Sequence, residues 1–98
     1  MSDSFIKAYK SDSSLVGAFC AAVLTHPDKA LLHEKRDGQW LAQSYSEVAD
    51  KVARLALYLQ ATGIQIGDRV LICSENRSEW AISNLAIMAI GAIAVPAY

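Results

Sequence analysis

The feature that most constrains this chain is the stretch from Gly67 to Tyr98, GDRVLICSENRSEWAISNLAIMAIGAIAVPAY. Val70-Leu71-Ile72-Cys73 is a short continuous apolar run of the kind that a parallel sheet buries on both faces. A polar turn follows, and Asn76-x-x-Glu79 then has the spacing of a helix N-terminal capping pair with an Asn cap. Trp80, Ile82, Leu85, Ala86, Ile87, Met88 and Ile90 leave the resulting helix almost no polar face, so it belongs inside a larger body. Gly91 separates this helix from a second strand, Ala92 to Val95, with Pro96 permitted at its end or on an edge.

Composition reinforces the expectation of missing partner surface. At 98 residues the chain has room for one small core burying about two thirds of its unfolded surface. Yet 53% of its residues are hydrophobic and its mean hydropathy is +0.21, where a small domain should be relatively polar. The net charge of -1 leaves no electrostatic footprint for nucleic acid or anionic lipid. Cys20 and Cys73 lie in apolar runs without metal-binding spacing and read as reduced core residues. MSDSFIKAYKSDSS lacks a basic start followed by an apolar segment, which argues against a secretion signal and makes the cytoplasm the expected setting. The apolar run from Trp80 to Tyr98 is broken by Ser83, Asn84, Gly91 and Pro96, against a membrane-spanning reading.

Taken in order, residues 1–13 show no sustained period and read as a mobile arm. Ser13 or Ser14 offers an N-cap for a helix whose apolar residues are Leu15, Val16, Phe19, Val23 and Leu24, ending near His26 and Pro27. Ala30 to Lys35, the turn Arg36-Asp37-Gly38, and Gln39 to Tyr45 make a hairpin, with Trp40 read as a packing residue. Ser44-x-x-Glu47 is a capping box opening a second helix. Val48, Val52, Leu55 and Leu59 form its buried stripe, Ala49, Ala53 and Ala56 allow close approach, and Gly63 ends it as a left-handed C′ residue. The expected fold class is α/β: a β-hairpin followed by two right-handed βαβ crossovers.

Little in the chain points to chemistry of its own. The turn Ser74-Glu75-Asn76-Arg77-Ser78 sits where α/β proteins hold phosphate, but it has no glycine, and Glu75 adds a negative charge. Neither the dinucleotide-binding nor the P-loop glycine pattern occurs. Cys73, ahead of a helix N-terminus, has the position of some reactive thiols but no histidine near in sequence, so the buried-hydrophobe reading is preferred. Arg77 reads as a surface pairing residue, His26 as a surface histidine near a helix C-terminus, and His33 as a hairpin residue without metal or nucleophile partners. No catalytic, cofactor-binding or metal-ligating residue is assigned.

Together these segments carry a resemblance. Ser44-Tyr45-Ser46-Glu47-Val48-Ala49, Gly63-Ile64, Gly67-Asp68-Arg69-Val70, Ser74-Glu75-Asn76-Arg77-Ser78-Glu79-Trp80, and Gly91-Ala92 leading to Val95-Pro96 resemble, in order and at these intervals, the N-terminal part of AMP-forming acyl-CoA synthetases, nearest to long-chain fatty-acid-CoA ligases. The resemblance covers residues 25–98 and implies that 14–98 form an incomplete first portion of an N-terminal AMP-binding domain. It implies a parent enzyme that activates a fatty acid with Mg-ATP to an acyl-adenylate and passes the acyl group to coenzyme A. The family's phosphate loop, nucleotide-binding core and C-terminal lysine have no counterpart here, so the chain alone is expected to be inactive and to bind no cofactor. Its expected partner is the rest of the parent, with self-association through exposed apolar surface and no nucleic acid; a peripheral membrane location of the parent stays open. Two alternatives stand beside this reading: a piece of another adenylate-forming ligase, such as a medium-chain or aryl-acid enzyme, and a small free-standing interaction protein.

Overall fold

The first element described begins at Ser14. In the computed structural model, which describes residues 14–74 and 77–97, Ser14 caps helix α1 (Leu15–Thr25), its Oγ accepting the Gly17 N–H at 3.2 Å. Val16, Phe19, Cys20 and Val23 are buried at helical spacing. Leu15 and Leu24, expected in that stripe, are instead 57% and 55% exposed, because they flank the buried face and Cys20 occupies its centre. The expected arm, residues 1–13, lies outside the described residues.

Strands β1 (Ala30–Arg36) and β2 (Gln39–Ser44) pair antiparallel from Ala30↔Ser44 to Arg36↔Gln39, with a bulge between Ala30 and Leu32. Asp37 and Gly38 connect them with φ of 51° and 79°, the two left-handed residues of a type I′ turn, whose twist matches that of the strands. Trp40 was expected to pack but is 70% exposed, its ring 6.0 Å from the Lys35 ammonium across the strand pair.

The hairpin ends one residue earlier than expected, because Ser44 is already committed as a cap. Its Oγ accepts the Glu47 N–H and the Glu47 carboxylate accepts the Ser44 N–H, both at 3.2 Å, opening helix α2 (Tyr45–Ala61). Two further first-turn donors are satisfied from the loop between α1 and β1: Tyr45 N–H by the Lys29 carbonyl at 2.9 Å and Ser46 N–H by that of Pro27 at 3.0 Å. Gln43, nearly buried, accepts a 2.6 Å hydrogen bond from Lys51 Nζ. At the other end of α2, Gly63 at φ 98° donates to the Gln60 carbonyl and Ile64 to that of Leu59, a Schellman closure at the expected residue.

The chain divides into two units, Met1–Lys51 and Val52–Tyr98, and α2 runs across the division. In the first, Val16, Phe19, Cys20, Val23, Val48 and Ala49 are buried. The second is built on β3 (Arg69–Ile72), α3 (Arg77–Ala89) and β4 (Ile93–Pro96). β3 and β4 are parallel, from Arg69↔Ile93 to Ile72↔Pro96, and α3 packs against both strands. Gly91 at φ 78° closes α3 with a second Schellman pair, Gly91 N–H to Met88 O and Ala92 N–H to Ile87 O. Gly67 N–H then donates to the Gly91 carbonyl at 2.9 Å, and Ile93 N–H to that of Asp68 at 2.7 Å, so the turn before β3 is tied to the turn before β4.

The α/β class and the order of elements are as the sequence predicts, but the pairing is more limited. β3–α3–β4 is a βαβ crossover; β2 and β3, the ends of the other expected crossover, lie in separate two-stranded sheets. A connecting helix makes a crossover only when both its strands join one sheet, and among the described residues β2 pairs with β1 and β3 with β4. β3 was also expected to be buried on both faces. Ile72 is 5% exposed, whereas Leu71 is 62% exposed and shares its face with exposed Ile93 and Val95.

Candidate functional site

In open α/β sheets the ligand crevice lies beyond the carboxyl ends of the strands, and the second unit has a cleft there. It holds about 260 Å³ at the end of β3. Leu55 and Leu59 of α2 and Ile87 of α3 supply aliphatic walls, and Ser74, Glu79 and Ser83 supply its polar groups. The Ser74 hydroxyl donates to Glu79 Oε2 at 3.2 Å, tying the end of β3 to the first turn of α3, where the helix dipole favours a carboxylate. The cleft is thus slightly smaller than the usual small-molecule range of about 300–1,000 Å³, and it presents a carboxylate where a nucleotide phosphate would need a donor or a cation.

Cys73 lines the same cleft and is exposed, not the core residue expected, because β3 ends at Ile72 and the next position turns outward. Cys20 is buried as expected, and loss of solvent pushes its thiol above the ordinary range, which disfavours the reactive thiolate. His26 is the exposed C-cap of α1, its backbone N–H donating to the Ala22 carbonyl at 2.8 Å. His33 is exposed on β1 opposite Ala42. The Asn76 cap, Glu75 and the Arg77 side chain lie outside the described residues. Among the described residues no group of three or more His, Cys, Asp or Glu side chains is placed to hold a metal ion.

The Ser74–Glu79 bond is the contact that sequence reading missed. Glu79 was assigned to the Asn76 capping pair, and a serine five residues upstream of a glutamate matches no standard capping spacing. Among the described residues the cleft assembles no nucleophile, base and oxyanion donors around one reacting atom.

Known proteins give this geometry its context. The profile of the AMP-binding enzymes matches residues 19–98. The chain belongs to the AMP-binding enzyme family. It is 43% identical over 72 residues to the long-chain-fatty-acid–CoA ligase FadD15 of Mycobacterium tuberculosis, a match spanning 74% of this chain and 12% of that enzyme. It is 39% identical over 71 residues to the acetyl-coenzyme A synthetase of Rhizobium meliloti, spanning 70% of this chain and 11% of the relative. The crystal structure of a fatty acyl-adenylate ligase from L. pneumophila, in complex with acyl adenylate and pyrophosphate, superposes with a TM-score of 0.82 at 28% identity, over 94% of this chain and 16% of that one.

The fold is therefore that of part of the N-terminal domain of an adenylate-forming AMP-binding enzyme. The residues that carry the family resemblance have visible backbone tasks here. Ser44 and Glu47 cap α2, Gly63 and Gly91 close α2 and α3 at positive φ, and Gly67 at φ 86° makes the turn into β3. Asp68 holds that same turn, its carboxylate accepting the Gln65 N–H at 2.7 Å. These matching residues thus shape helix ends and turns.

Proposed function

We propose that the chain is the N-terminal scaffold portion of a long-chain fatty-acid-CoA ligase, residues 14–98 forming the incomplete first part of its AMP-binding domain. The parent converts fatty acid, ATP and coenzyme A to acyl-CoA, AMP and pyrophosphate through an acyl-adenylate, with Mg as the nucleotide's counter-ion. The observation that carries this reading is the 43% identity to a long-chain-fatty-acid–CoA ligase across 74% of the chain. Likeness to a fatty acyl-adenylate ligase fold supports it further. The chain's own residues then have a supporting part: the capped helices and the Gly67–Gly91 tie hold β3 and β4 in place for a site built by the rest of the enzyme. That remainder is the proposed partner of exposed Leu71, Ile93 and Val95, and its absence favours self-association of the isolated chain. No helix among the described residues is long and apolar enough to cross a membrane. The proposed setting is the cytoplasm, with room for peripheral attachment of the parent.

Identity to an acetyl-coenzyme A synthetase, at 39%, favours a second reading in which the parent is an adenylate-forming ligase for another acid. Thioester formation by the full gene product, given Mg-ATP, coenzyme A and straight-chain acids from acetate to stearate, separates the two. The first reading expects turnover to rise with chain length; a maximum at acetate overturns it in favour of the second. The 98-residue chain by itself should give no thioester with any acid, and measurable turnover would overturn its assignment as scaffold.

A further inference from the structure

No further inference is drawn: the strongest candidate, the exposed apolar face of the parallel β3–β4 pair formed by Leu71, Ile93 and Val95, carries nothing because nothing in the structure shows what covers it.

Discussion

The hairpin β1–β2 and the parallel unit β3–α3–β4 each contain one pair of strands, yet they are held by different physics. The hairpin is closed by two adjacent residues, Asp37 and Gly38, and it leaves Trp40 and Leu41 70% and 46% exposed. Its register follows from turn geometry, within reach of neighbouring residues. The parallel pair has no such turn. β3 and β4 meet only because α3 is closed at Gly91, its buried face packs on the strands, and Gly67 and Asp68 bond to the turn and strand that follow it. The difference teaches that a two-residue turn is enough to bring the first pair together, whereas the second needs a packed helix between its strands.

The sharpest way to break this comparison is to remove core volume from one side of it. Ile87→Ala should cost about 2–5 kcal/mol, since Ile87 is 2% exposed and deletion leaves a cavity. Leu41→Ala in the hairpin should change stability by less than about 0.5 kcal/mol. Urea unfolding of both variants checks the pair, and equal losses would refute the distinction. The next largest effect concerns the glycines. A Cβ at Gly91 would approach Ile66 Cγ1 to 3.1 Å at φ 78°, so Gly91→Val should cost about 1–3 kcal/mol. Gly38 has a similar φ but open space around it, and Gly38→Asn should stay within about 0.5 kcal/mol because Asn tolerates the left-handed region.

A smaller effect tests the element between them. Ser44→Ala removes the acceptor for the Glu47 N–H and should cost about 1 kcal/mol, read as a lower urea midpoint with unchanged slope. The smallest concerns the thiols. A thiol reagent should modify exposed Cys73 in the folded chain and reach Cys20 only on unfolding. Because burial raises the Cys20 pKa in the folded state, the unfolded chain gives up this proton first as pH rises. Folding should therefore weaken once pH passes the ordinary thiol value of roughly 8.5. Replacing Cys20 with Ala should flatten that slope; an unchanged slope would assign it to other groups.

Much of the fold was legible because its signals are local. The Ser44–Glu47 box, the Gly63 C′ position and the Asp37-Gly38 turn each act through backbone groups a few residues away, and the structure has all of them. The errors fall where long-range burial decides. Leu15, Leu24, Trp40 and Cys73 are apolar or small residues in apolar surroundings of sequence, yet they are exposed. Hydrophobic pattern marks which residues can be buried, not which face finds a neighbour. The cleft was less legible than the fold. Its walls come from α2, β3 and α3, and its Ser74–Glu79 bond spans an interval that no capping rule anticipates.

By itself, then, the sequence determined the order of elements, the caps at Ser14 and Ser44, the turns, and the motif series that marks an AMP-binding enzyme, because each depends on groups near one another along the backbone. Tertiary structure decided the rest. It kept the β1–β2 hairpin and the β3–β4 pair in separate sheets, leaving one βαβ crossover where the element order allowed two, and it buried Ile72 while exposing Leu71 and Cys73. Strand pairing and burial are settled by which surfaces meet after long stretches of chain have closed, and no local preference contains that information.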